Sequence, residues 1–179
     1  MTRVRKNQFA FTLIEMLIVL GIIGVLGAVA LTFYLREAQR ARVQSARSQL
    51  VLDLQDARSK AQRFNCNWTI TLVDATTYTV VGPDLSGTVT CANTITKTHP
   101  MPSVVEIYQR TSTTAAAAPS NIQIIYQAPF GTLSAGNNID VVEIRRVGTP
   151  VALPATQTSD MAYVKVLGVT GKVIASASY

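Results

Sequence analysis

The residue whose type and setting conflict most is Glu15. It stands among Leu13, Ile14, Met16 and Leu17, at the head of the uncharged run Met16 to Leu35 (MLIVLGIIGVLGAVALTFYL). A carboxylate there is costly in lipid and marks a functional position by default, because it calls for a partner charge. The plainer role is an interfacial acid that reaches back to the headgroups. The other residues able to do chemistry are few: Cys66 and Cys91, the single histidine His99, the pair Arg145-Arg146, and Gly171-Lys172. Two cysteines and one histidine fall short of a structural zinc set. His99, between Thr98 and Pro100, reads as a surface residue in a loop. Gly168 to Lys172 resembles a phosphate loop only superficially, since that loop needs a glycine where Val166 stands and a hydroxyl where Val173 stands. No Gly-x-Ser-x-Gly elbow occurs and the acids beyond residue 64 are scattered, so acyl transfer and a calcium loop are unsupported. We read no enzyme here: no catalytic residue, metal or cofactor is called for.

The elements that must position these residues begin with a membrane segment. About 20 apolar residues suffice to cross a bilayer as a helix. Arg3, Arg5 and Lys6 precede the run, which keeps the N-terminus cytoplasmic and sends the rest outward. A secretory signal peptide has a shorter apolar stretch ending in a small-residue cleavage site; this run continues into more helix. Val43, Ala46, Leu50, Leu54, Ala57, Ala61 and Phe64 recur at steps of three or four, giving one apolar stripe. With no proline before Pro83, a helix over 11–64 would be roughly 80 Å long at about 1.5 Å per residue. Its first half suits lipid or partner helices and its second half suits covering a sheet. Gly21, Gly24 and Gly27, with Ala28, either let helices approach closely in the membrane or are simply tolerated in lipid.

Charge follows the same division. Of the net +6, three units belong to residues 1–10 and three to residues 11–64, and the remainder is neutral. A pI near 9.6 would suggest nucleic acid, but positive charge beside a membrane segment is more simply a topology signal. Beyond Phe64 the periodicity becomes two. Strands are expected at 68–73, 77–81, 104–108, 122–127, 139–145, 162–167 and 172–175, with an Asp74-containing turn between the first two and a break at Gly82-Pro83-Asp84. Gly131, Gly136-Asn137-Asn138 and Gly148-Thr149-Pro150 punctuate the later strands, and Thr111 to Ser120 reads as a low-complexity surface loop. The amphipathic stripe would cover one face of these strands. In an oxidising compartment Cys66 and Cys91 either bond to each other or stay free, their separation being unset by sequence.

Ala10-Phe11-Thr12-Leu13-Ile14-Glu15, after a short basic leader and before an apolar stretch, closely resembles the processing site of type IV prepilins. The resemblance implies cleavage by prepilin peptidase between Ala10 and Phe11, N-methylation of Phe11, and pairing of Glu15 with the α-amine of a neighbouring subunit. Two opposite charges buried together are tolerable where each alone is costly. Ala10 replaces the usual glycine, and Thr32 stands where many pilins carry a helix-bending proline. Gln49 to Thr71 (QLVLDLQDARSKAQRFNCNWTIT) is similar to the helix end and first strand of the GspH/FimT group, and the tail with Phe130-Gly131 and Gly171-Lys172-Val173 is loosely similar too. Known members are minor pseudopilins of type II secretion or minor pilins, some of which bind DNA.

The expected architecture is therefore α+β, a long N-terminal helix packed on an antiparallel β-sheet head, the pilin fold. Its parts would be a cleaved leader at 1–10, a transmembrane and filament-core helix at 11–35, an amphipathic helix at 36–64, and a periplasmic head at 65–179. The expected role is a minor pilin or pseudopilin subunit, held in the bacterial inner membrane by one pass until assembled into a type IV pilus or a pseudopilus. Its partners would be prepilin peptidase, membrane lipid and other pilins or pseudopilins through the N-terminal helix. The alternative is a DNA-binding minor pilin for natural transformation. DNA-binding members use a Gly-Arg-x-Arg motif near the C-terminus; here the matching residues are Gly171-Lys172-Val173-Ile174. DNA would then meet Arg145, Arg146 and Lys172.

Overall fold

Among the described residues a single helix, α1 (Leu13–Phe64), leads into nine strands. The computed structural model describes residues 13–110, 118–134, 141–147, 161–167 and 170–176. The leader, Ala10, Phe11, most of the low-complexity loop (111–117), the turns at 136–138 and 148–150, and the expected strand start at 139 lie outside the described residues. The chain divides between Ala38 and Gln39 into two compact units.

In the first unit, α1 from Leu13 to Leu35 is exposed at every position, with Leu13, Val25 and Phe33 each more than two-thirds accessible. It is the one helix among the described residues long and apolar enough to cross a membrane. The helix runs unbroken through Thr32, whose Oγ1 donates to Val29 O at 2.8 Å.

In the second unit, the remainder of α1 buries Val43, Ala46, Leu50, Leu54, Ala57 and Ala61, the stripe expected from their spacing; Phe64 is half-buried. Each buried leucine contributes roughly 1.5–3 kcal/mol relative to exposure. The helix stops because Asn65 adopts φ 53°, the left-handed conformation that closes many helices and that asparagine tolerates. β1 (Trp68–Leu72), β2 (Thr77–Pro83), β3 (Thr94–Pro100), β5 (Ile122–Gln127) and β6 (Thr132–Leu133) form a sheet in the order β3-β2-β1-β5-β6. β4 (Val105–Arg110), β7 (Val141–Arg146), β8 (Met161–Val166) and β9 (Val173–Ser176) form a second, in the order β4-β7-β8-β9. All pairings among the described residues are antiparallel. One core takes residues from the helix stripe, from Trp68, Ile70, Leu72, Ile124 and Tyr126, and from Ile107, Val142, Ile144 and Val164 of the second sheet. The architecture is α+β and pilin-like.

The turn joining β1 to β2 is set by Asp74, whose Oδ1 accepts from Thr76 N at 2.7 Å and Thr76 Oγ1 at 2.8 Å, an Asx-type turn. These bonds hold its carboxyl below the usual value. The same turn bridges the sheets through Ala75 O, which accepts from Ile107 N of β4, while Thr76 O accepts from Met101 N just past β3, each at 2.7 Å. Two expectations are corrected. The break expected at Gly82-Pro83-Asp84 comes only after Pro83, because β2 continues through Gly82 and Pro83; a Cβ at Gly82 would overlap the Trp68 ring, so glycine is what lets this strand lie against the indole. Residues 94–100 form the full strand β3, paired with β2 from Thr77↔Pro100 to Pro83↔Thr94.

Candidate functional site

Glu15 lies in the first turn of α1, where the helix N-terminus favours an acid. It is exposed, as are its apolar neighbours Leu13, Ile14, Met16 and Leu17. In lipid such a carboxylate needs a cationic partner. At Gly21, Gly24 and Gly27 an added Cβ would meet nothing within 4 Å. The packing of this chain alone therefore does not demand glycine at these positions, whereas close approach of another helix would.

Cys66 and Cys91 are joined by a disulfide with Cα atoms 5.4 Å apart. It ties the residue just past the helix end to the loop between β2 and β3. That loop also closes a groove that sequence reasoning missed. Asp53, Asp56 and Lys60 of α1 form one wall, Ile95, Lys97 and His99 of β3 the other, Trp68 and Val80 the floor, and Asp84, Leu85 and Ser86 the end, around a volume of about 380 Å³. His99 is not a loop residue. Its ring stacks on Tyr78 with centroids 5.1 Å apart, and its Nδ1 lies 3.5 Å from Asp53 Oδ2. Asp53 also accepts from Tyr78 Oη at 2.5 Å and from Gln49 Nε2 at 3.2 Å. Burial, and then the bond to Asp53, push the Tyr78 phenol far above its ordinary value. Lys60 pairs with Asp56 at 2.6 Å and sits 5.0 Å over the Trp68 ring. One signal could have found the groove. Ile95, Lys97 and His99 alternate on one strand face, and Asp53, Asp56 and Lys60 follow at helical steps beside the apolar stripe.

The basic residues named for DNA are not brought together on a surface. Arg145 is 1% exposed, with its guanidinium carbon 3.2 Å from the Tyr108 ring centroid and Nη1 3.9 Å from Glu143 Oε1. Strand alternation explains this: Val142 and Ile144 face the main core, and Glu143 and Arg145 face the opposite side, across from Tyr163 and Met161. A buried guanidinium cannot reach a phosphate, so Arg145 leaves the set. Arg146 is half-buried and donates from Nη1 to Gln39 Oε1 at 2.6 Å. Lys172 is exposed before β9. Among the described residues no group of three His, Cys, Asp or Glu side chains is placed to hold a metal.

Residues 5–31 match the model of the prokaryotic N-terminal methylation motif. The match spans the Ala10-Phe11 junction, Glu15 and most of the apolar run, and it supports a type IV pilin-like prepilin. It implies a structural subunit processed by prepilin peptidase and assembled with other pilins. An apolar helix beginning at this motif is consistent with membrane anchoring. No curated protein and no solved structure matches the chain.

Proposed function

We propose that this chain is a minor pilin or pseudopilin, resembling the GspH/FimT group, that works by packing and by one charge pair. The observation that carries the reading is the methylation motif at residues 5–31, continuous with a helix that has Glu15 in its first turn and no charge from Met16 to Leu35. Prepilin peptidase cuts between Ala10 and Phe11 on the cytoplasmic side of the inner membrane, and the new amine of Phe11 is methylated. Residues 11–35 anchor the subunit in lipid with the head in the periplasm. On assembly into a type IV pilus or a secretion pseudopilus they enter the filament core, where Glu15 pairs with the amine of a neighbour. Pairing lets both charges leave the membrane interface together, which neither can do cheaply alone.

The test is intact-mass spectrometry of the protein from its native membranes, with fragmentation at the N-terminus. The expected chain begins at methylated Phe11. A chain that still begins at Met1 in cells with active prepilin peptidase overturns the reading.

A further inference from the structure

The groove beside β3 joins two features that recur where proteins bind extended peptides: an outermost strand, and a helix set back from that strand's inner face. β3 ends its sheet, hydrogen-bonded to β2 on one side, and every residue from Thr94 to Thr98 is exposed. Such a strand presents N–H and C=O groups along its outer edge. The side chains that β3 turns toward the helix, Ile95, Lys97 and His99, face the groove instead of being covered by α1. From Ile95 to His99 is about 13 Å at ~3.3 Å per residue, enough for three or four residues of extended chain.

We propose that this groove receives an extended segment of a partner protein, added as a strand along β3. The segment carries an apolar side chain that enters beside Leu85 and Ile95, and an acidic side chain two residues away that meets Lys97. Main-chain bonds to a sheet edge supply affinity in this mode, and pockets for alternate side chains supply specificity. The residue pattern follows from which groups are already satisfied. Lys60 is neutralised by Asp56 at 2.6 Å. Asp53 is held by Tyr78, Gln49 and His99. Asp84 accepts from Ser86 N at 2.9 Å. Lys97 has no ion pair or hydrogen bond among the described residues, and it lies two residues from the exposed apolar Ile95 on the same strand face. An added strand has the same two-residue repeat, so an apolar residue and an acid at i and i+2 match Ile95 and Lys97. Lys97 and Pro100 also keep the edge from pairing indiscriminately. The site belongs to the head and stands whether or not the N-terminal segment is processed.

Trp68 is the only tryptophan in the chain and lines the groove, so its fluorescence reports occupancy. The full chain, held in non-ionic micelles, is titrated with a blocked threonine-rich peptide carrying leucine and, two positions on, glutamate. A second peptide has lysine in place of the glutamate. The expected result is a saturable change with the acidic peptide and slowed amide exchange along β3. Lys97→Glu should weaken that peptide by about tenfold, the effect of turning one exposed pairing into repulsion, and should bind the lysine peptide in its place. Lys165→Glu, an exposed lysine on β8, should leave binding unchanged. Unaltered Trp68 emission without peptide and an intact Cys66–Cys91 bond establish that each variant is folded. No saturable change with either peptide overturns the proposal. So does a Lys97→Glu variant that keeps its preference for the acidic peptide, or an equal loss in Lys165→Glu.

Discussion

Tyr78→Phe removes a single oxygen from the contact that joins α1 to the first sheet, and its cost can be worked from the geometry. The ring is 1% exposed, and phenylalanine keeps both its packing and its stack on His99. What is lost is one hydrogen bond to a carboxylate, and bonds to charged groups contribute about 1.5–3 kcal/mol. Asp53 is not orphaned, because Gln49 at 3.2 Å and His99 at 3.5 Å remain, and its side chain is 18% exposed. The loss should therefore fall at the low end, about 1.5–2 kcal/mol. Urea unfolding of the full chain in non-ionic micelles, followed by Trp68 emission, would show it as a midpoint lowered by about 0.8 M for a slope near 2 kcal/mol/M. In a double-mutant cycle with Asp53→Asn, the coupling should be about 1 kcal/mol.

The same variant has a signature in alkali. Tyr78 and Tyr126 both have phenol pKa values raised above the ordinary 10, in each case chiefly by burial. The folded state keeps these protons where the unfolded chain releases them. Their contribution is intact below about pH 10 and is lost as pH rises above it, by roughly 1.4 kcal/mol per pH unit for each tyrosine. Tyr78→Phe should remove one tyrosine's share of that slope and leave the other. A variant that unfolds at the wild-type midpoint, with zero coupling to Asp53 and an unchanged alkaline slope, would refute the assignment of this contact as a stabilising one.

Leu54→Ala should destabilise the head by about 2–5 kcal/mol, since Leu54 is fully buried; Leu52→Ala, at a 59% exposed position, should stay within about 0.5 kcal/mol. Both are read from the same urea midpoint. Reducing Cys66–Cys91 opens a loop of sequence separation 25 and should cost about 3 kcal/mol, by comparison of oxidised and reduced protein. Glu15→Ala should leave cleavage at Ala10-Phe11 intact by mass spectrometry, yet remove the subunit from sheared filament fractions. Normal incorporation would deny Glu15 its pairing role.

How much of this was legible in the sequence depended on the range of the interaction. Val43, Ala46, Leu50, Leu54, Ala57 and Ala61 were readable because helical spacing is a local signal, and all six are buried. Ile122–Gln127 was readable because period-two alternation is equally local. β3 was not, since Thr94-Ile95-Thr96-Lys97-Thr98-His99-Pro100 lies at an edge with little buried on either face. With no core to satisfy, it has no apolar alternation to betray it. Arg145 was misjudged for a related reason. A basic pair in a strand looks exposed as a unit, but successive residues point to opposite faces, so Arg145 and Arg146 cannot share an environment. The Asp53–Tyr78–His99 contact joins residues as many as 46 positions apart; it exists only once the helix lies on the sheet.

Two kinds of carboxylate in this chain divide the work. Asp53 is satisfied within its own head, by a phenol, an amide and an imidazole on three elements, so its charge fixes how the helix seats on the strands. Glu15 lies among exposed apolar side chains, on a helix segment in which the spaces beside Gly21, Gly24 and Gly27 are open. Covering that surface requires lipid or other helices. In the proposed filament a neighbouring helix covers these apolar side chains and brings the amine of its Phe11 to Glu15, so that this acid, unlike Asp53, would fix how one subunit seats on another.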